Sequence, residues 1–222
     1  MIFNEQSAKI IAQFLLQIKA IKLETHKPFT WASGLRSPIY CDNRLILSYP
    51  DIRNHVVYDL SKEIEQSSGL PDAIIGVATG AIGIGALVAS ELGVPFAYVR
   101  PKPKSHGREN QVEGHIEEYA KVVVIEDLIS TGKSSLEAVD TINKSINVKV
   151  KAIAAIFDYG FEETRKRFEE QEMDYYSLSD YDNLIDQAYQ TNYLAQSDLE
   201  PLRSWRKDPK NWIKKFNHGI KN

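Results

Sequence analysis

Four short apolar runs, DAIIGVA, PFAYVR, KVVVIED and VKAIAAIFD, restrict the fold of this chain more than any other feature. Each is rich in Val, Ile and Ala and too short for a full helix. None shows the strict polar alternation of a strand with one wet face, so they fit strands buried on both sides. Helix-like segments lie between or after some of them, at 82–92, 133–146 and 162–170. Strands that alternate with helices build a mainly parallel sheet flanked by helices, and the fold class is therefore α/β.

The flanks of this pattern read differently. The N-terminus, MIFNEQSAKIIAQFLLQIKA, has the period of an amphipathic helix with Ile10, Ile11, Phe14, Leu15 and Ile18 on one face, and residues 51–66 have helical periodicity. Residues 29–44 are rich in Gly, Ser, Pro and aromatics, which predicts turns and short strands. From 173 to 222 aromatics stand among polar residues (Tyr175, Tyr176, Tyr181, Tyr189, Tyr193, Trp205, Trp212), predicting one short strand and two helices that cover the core. No repeat, low-complexity tract or linker divides the chain. The expectation is a single domain over 1–222, with an N-terminal segment 1–50, a core sheet within 70–160 and a C-terminal covering segment 173–222.

Composition excludes several classes. With 43% hydrophobic and 26% charged residues the chain is of ordinary globular type. A net charge of -3 gives no global attraction to nucleic acid, so a polyanion would need a local cluster of cations. The single cysteine, Cys41, allows neither an intrachain disulfide nor a thiol zinc cluster and fits the reducing cytoplasm. Glu5, Lys9, Gln13, Gln17 and Lys19 interrupt the N-terminal apolar residues, so neither a signal peptide nor a membrane span is expected there.

The segment KVVVIEDLISTGKSSLEAV carries the most chemical information. A buried strand ends on Glu126 and Asp127 and runs through small polar residues into a helix. Exposed N–H groups at such a helix start suit a phosphate, and in an open α/β sheet the carboxyl ends of strands frame the binding crevice. Ser130, Thr131 and Ser134 add hydroxyls, while Gly132 lets the backbone come close. Gly132-Lys133-Ser134 matches the end of a P-loop, but the first glycine of that motif falls on Asp127, where a carboxylate would face the phosphates. Paired acids ahead of a phosphate turn make better sense as hydrogen-bond partners for the hydroxyls of a sugar whose 5′-phosphate lies in the turn. A plain strand-to-helix connection would account for Gly132 and the Ser/Thr caps, but not for adjacent Glu126 and Asp127.

After PFAYVR comes PKPKSHGRENQVEGH, in which Arg100, Lys102, Lys104, His106 and Arg108 outnumber Glu109 and Glu113, and Pro101, Pro103 and Gly107 disfavour regular structure. Taken alone, this basic stretch fits a loop that closes over a diphosphate, a solvated surface loop or a nucleic-acid contact.

Residues 122–135 resemble the phosphoribosyl diphosphate signature of the type I phosphoribosyltransferases. The pattern R-x-x-x-K-x-H-G followed by N-x-x-E-G resembles the catalytic loop of the orotate phosphoribosyltransferases, and FTWASGLRSPIY resembles their N-terminal signature. The likeness implies the type I phosphoribosyltransferase fold, with a small hood formed by the N-terminal segment, to which the C-terminal segment is a candidate contributor. It also implies a mobile loop at 100–114.

The implied reaction is Mg²⁺-dependent transfer of ribose 5-phosphate from 5-phosphoribosyl 1-diphosphate to orotate, giving orotidine 5′-phosphate and diphosphate, a step of UMP synthesis. A purine or uracil phosphoribosyltransferase is not expected to carry both flanking motifs, and a non-catalytic sensor of phosphoribosyl diphosphate would need a nucleic-acid-binding surface. By the same likeness, Glu126 and Asp127 hold the ribose, while Leu128, Ile129, Ser130, Thr131, Gly132, Lys133 and Ser134 form the phosphate segment. Lys133 stands where relatives often have a small residue and is expected to face solvent. Arg100, Lys104 and His106 go to the diphosphate, reaching into the neighbouring subunit of a homodimer, and Lys104, His106 and Asp127 are the expected catalytic groups. Ser130 and Tyr40 border orotate. Thr79, Gly80 and Ala81 form the diphosphate loop, although they are not the usual tripeptide. Mg²⁺ would ride on the diphosphate without a direct protein cage. Ala32, Pro101 and Tyr159 depart from positions where relatives carry lysine, lysine and arginine.

Overall fold

The computed structural model describes residues 2–31, 34–101 and 111–212. Helix α1 (Glu5–Gln17) starts at Asn4, whose side chain accepts from the N–H groups of Gln6 and Ser7. Four short strands follow: β1 (Ile21–Leu23), β2 (Phe29–Thr30), β3 (Arg36–Ser37) and β4 (Ile39–Cys41). β1 pairs with β4 and β2 with β3, both antiparallel, giving two small ribbons beside the main sheet. A 3-10 turn at Asn43–Ser48 leads into α2 (Pro50–Ser68).

The central part alternates as expected: β5 (Ala73–Val77), α3 (Ile82–Leu92), β6 (Phe96–Val99), the short β7 (Val112–Glu113), β8 (Lys121–Ile129), α4 (Lys133–Ser145), β9 (Lys149–Asp158) and α5 (Glu162–Glu170). The tail forms β10 (Tyr175–Asp180), α6 (Tyr181–Gln190) and α7 (Gln196–Lys207). The six-stranded sheet has the order β10-β9-β8-β5-β6-β7, parallel except for β7, which pairs antiparallel with β6 at the edge.

Successive residues of a strand face opposite sides, so each buried strand feeds two cores. Along β8, Val123 and Ile125 join Ile11, Leu60, Ile84, Leu184 and Leu202 on one side. Val122 and Val124 join Val139, Ile142 and Phe168 on the other. This double burial is why those runs are continuously apolar. At α1 the periodicity is only partly followed. Ala8, Ile11, Ala12, Leu15 and Leu16 form the buried face, against α6 and β10, whereas Ile10 is 36% exposed. Ile10 therefore lies at the margin of the covered face.

Strand order fixes where a site can be. From β5 the chain moves outward to β6 and then returns to β8 on the opposite side of β5. The loops leaving β5 and β8 therefore diverge, and a crevice opens at their carboxyl ends. Among the described residues no helix is long and apolar enough to cross a membrane.

Candidate active site

The turn after β5 and the turn after β8 meet at this crevice. Gly80 lies directly against the Asp127 carboxylate, so close that a β-carbon at Gly80 would collide with it. The contact explains the glycine and brings Thr79, Gly80 and Ala81 together with the paired acids. Thr79 is exposed, whereas Ala81 is buried at the start of α3.

The two acids occupy different surroundings. Glu126 is 5% exposed, and its Oε1 accepts from Ser135 Oγ at 2.9 Å. Burial and the neighbouring Asp127 charge push its pKa up from 4.5 to about 8, with the Ser135 hydrogen bond opposing the rise. Asp127 is half-buried, and burial raises its pKa too, while its own backbone N–H and the positive charge of Arg44 pull it down. Arg44 is held by a bidentate pair with Asp42, at 2.7 and 2.8 Å. Asn43 Nδ2 donates to the Asp127 backbone carbonyl at 2.6 Å, and the Cys41 thiol donates to Asn43 Oδ1 at 3.2 Å. Desolvation and the neighbouring Asp127 and Asp42 charges raise the Cys41 thiol well above its ordinary value, which suits a small, partly buried side chain and not a nucleophile.

Helix α4 starts from Gly132, in the left-handed region at φ 71°, with no side-chain hydrogen bond capping it. Its first-turn N–H groups are thus left for another acceptor. Ile129 is fully buried, and its carbonyl accepts from the Tyr159 N–H at 3.0 Å. Ser130 is half-buried, whereas Thr131 and Ser134 are exposed. Lys133 projects into solvent, 3.6 Å from Glu137 on the same helix. Behind the turn, Thr164 Oγ1 donates to the Ser130 carbonyl at 2.6 Å, and Arg167 donates to the Thr131 carbonyl.

Ser130 and Thr131 also line a cleft of about 740 Å³ whose walls include Trp31, Phe161, Arg165 and Arg206. Trp31 and Phe161 are the cleft-facing members of an aromatic block whose other rings, Tyr159 and Trp205, are buried behind them. The ring of Trp31 lies 5.3 Å from that of Tyr159 and 5.7 Å from that of Trp205, and Tyr159 stacks on Phe161 at 5.6 Å. Trp205 Nε1 donates to the Arg36 carbonyl at 3.2 Å, so α7 locks onto the N-terminal ribbons. Tyr159 is 2% exposed and its hydroxyl is held neutral by burial. It contributes no charge to the cleft, and the arginines there come from α5 and α7. Tyr40 packs its ring 5.8 Å from Phe29, is 41% exposed and lies outside the walls of this cleft.

The basic stretch is described only at its ends. Arg100 and Gln111 are joined by a backbone bond of 2.8 Å from the Arg100 N–H, and Arg100 lies 3.5 Å from Glu113. Lys104 and His106 lie outside the described residues, as does Ala32.

Sequence reading did not identify Asn43, Ser135, Thr164, Arg167 or Arg206 as neighbours of the turn. For Ser135 a signal existed: it stands nine positions after Glu126, in the first turn of α4. The others are joined to the site only by the folded chain.

The family described as phosphoribosyl transferase domain matches residues 49–190. The orotate phosphoribosyltransferase of Porphyromonas gingivalis is 50% identical over 204 residues, covering 92% of this chain and 97% of that protein. That of Bacillus subtilis is 45% identical over 214 residues, covering 96% and 99%. Among solved structures, the orotate phosphoribosyltransferase of Aeropyrum pernix superposes with a TM-score of 0.68 at 27% identity, covering 83% of this chain and 99% of that one.

Proposed function

The chain belongs to the orotate phosphoribosyltransferases, within the phosphoribosyl transferase domain family, and on that premise we propose that it is a pentosyltransferase that moves the ribose 5-phosphate group of 5-phosphoribosyl 1-diphosphate onto orotate. The products are orotidine 5′-phosphate and diphosphate, which places the reaction in pyrimidine nucleotide synthesis. The observation that carries the proposal is the Glu126–Asp127 pair at the mouth of the uncapped α4, set against the Thr79–Gly80–Ala81 turn.

The 5′-phosphate takes the N–H groups and hydroxyls of residues 130–134, and the ribose hydroxyls face Glu126 and Asp127. The diphosphate lies along the turn at 79–81, where Gly80 allows close approach to Asp127. Orotate enters beside Ser130, between the aromatic block and the N-terminal ribbons. In the transition state the C1′–oxygen bond to diphosphate is largely broken while the orotate nitrogen approaches C1′, which leaves positive charge on the ribose. The carboxylate of Asp127 stabilises that charge. Lys104 and His106, carried by the basic loop of the partner subunit in a homodimer, neutralise the departing diphosphate and exclude water.

The donor set fits Mg²⁺. The Asp127 carboxylate beside a diphosphate would supply hard oxygens, and this ion keeps most of its waters. When bound it supplies positive charge to the leaving group. The single, partly buried Cys41 suits a cytoplasmic enzyme. Purified protein given orotate, phosphoribosyl diphosphate and Mg²⁺ should deplete the orotate absorbance and lose that activity on chelation. Unchanged absorbance at high enzyme concentration would reject the proposal.

A further inference from the structure

The face of α5 that meets the phosphate turn is built from residues spaced as neighbours on a helix. Thr164, Arg167 and Phe168 stand at i, i+3 and i+4 and so share one side. Each presses on a different residue of the turn. The fully buried Thr164 donates to the Ser130 carbonyl at 2.6 Å. Arg167, itself paired with Glu163 at 2.7 Å, donates to the Thr131 carbonyl. The Phe168 ring fills the space that a β-carbon on Gly132 would need.

Peptide geometry gives these contacts a consequence. The Ser130 carbonyl shares its peptide plane with the Thr131 N–H, and the Thr131 carbonyl shares its plane with the Gly132 N–H. In a trans peptide the two groups point in opposite directions. Drawing both carbonyls toward α5 therefore turns both N–H groups away from it. It also removes two carbonyl dipoles whose negative ends would repel an anion. Phe168 adds a steric limit, because a side chain at 132 would lift the turn off the helix.

We propose that Thr164 and Arg167 are positioning residues for the phosphoribosyl diphosphate site, setting the orientation of the Thr131 and Gly132 N–H groups without touching the substrate. The proposal rests on the functional reading above, which puts the 5′-phosphate in this turn. It makes α5 a working part of the site and gives it an effect on one substrate only.

The test is calorimetric titration of phosphoribosyl diphosphate with Mg²⁺ into the wild type, Thr164→Val, Thr164→Ser and Arg167→Met, with steady-state constants for both substrates. Thr164→Val and Arg167→Met should each weaken phosphoribosyl diphosphate binding about tenfold, leaving the KM for orotate within about twofold. Thr164→Ser keeps the hydroxyl and should restore wild-type affinity. Arg167 is at the surface, so Arg167→Met carries the test if Thr164→Val does not fold. Wild-type affinity in the variants, whatever the fall in thermal midpoint, would overturn the positioning role, and so would equal losses for both substrates. Failure of the wild type to bind phosphoribosyl diphosphate would overturn the functional reading and this inference with it.

Discussion

Replacing Glu126 with glutamine should make the protein more stable and less active, with a stability gain that grows with pH. In the folded chain the Glu126 carboxyl is buried beside Asp127 and keeps its proton until about pH 8, whereas in the unfolded chain it ionises near 4.5. Between those values the unfolded state binds fewer protons than the folded one, so the stability of the wild type falls as pH rises. One pKa unit is worth about 1.4 kcal/mol, which gives a ceiling of about 5 kcal/mol once the pH passes the folded pKa. Relaxation around the charge lowers this to about 3–5 kcal/mol. Glutamine has no such titration, and its amide oxygen can still accept from Ser135. Urea denaturation should therefore show Glu126→Gln less than about 1 kcal/mol more stable than wild type at about pH 5, and about 3–5 kcal/mol more stable at about pH 9. The same variant should bind phosphoribosyl diphosphate more weakly above about pH 8, where the wild-type carboxyl is ionised and accepts from the ribose hydroxyls as an anion. Parallel stability profiles for the two proteins would refute the burial argument.

Asp127→Asn should keep the fold and lose turnover on the order of 100-fold or more, since the amide preserves shape but not the charge facing the cationic ribose; near wild-type kcat would remove Asp127 from that role. Ser130→Ala and Thr131→Val should each weaken phosphoribosyl diphosphate binding by about 1.5–3 kcal/mol while leaving the melting temperature nearly unchanged, as calorimetry and thermal unfolding would show. Gly80→Ala places a methyl group against the Asp127 carboxylate and should cost about 1–3 kcal/mol of stability together with most of the activity. Mixing inactive Asp127→Asn with inactive Lys104→Ala under subunit exchange should restore roughly a quarter of wild-type activity per subunit, since about half of the dimers would then have one complete site. Demonstrated exchange without recovery would place the loop in its own chain's site.

The parts legible in the sequence were those set by local chemistry or by burial on both sides. The continuous apolar runs of β5, β8 and β9 identified the parallel sheet because both of their faces enter a core. Glu126, Asp127 and Gly132 identified the turn because no ordinary connection needs two acids there. Less legible were contacts between residues far apart in the chain. Asn43 reaches the Asp127 carbonyl across 84 positions, Thr164 reaches Ser130 across 34, and Trp205 reaches Arg36 across 169. Each of these side chains reads by itself as an ordinary turn, helix or core residue. Ile10 shows the same limit on a smaller scale, because helical period gives the apolar stripe while the neighbouring α6 and β10 decide which edge of it is covered.

The acceptor preference of the purified protein tests the central claim most directly. With phosphoribosyl diphosphate and Mg²⁺ present, orotate, uracil, adenine and hypoxanthine are offered in turn, and the release of diphosphate is followed. Orotate should support release matched mole for mole by loss of its absorbance, with kcat/KM on the order of 100-fold or more above that of any other base. Release with a different base in preference to orotate, or no release with any of them, would contradict the assignment.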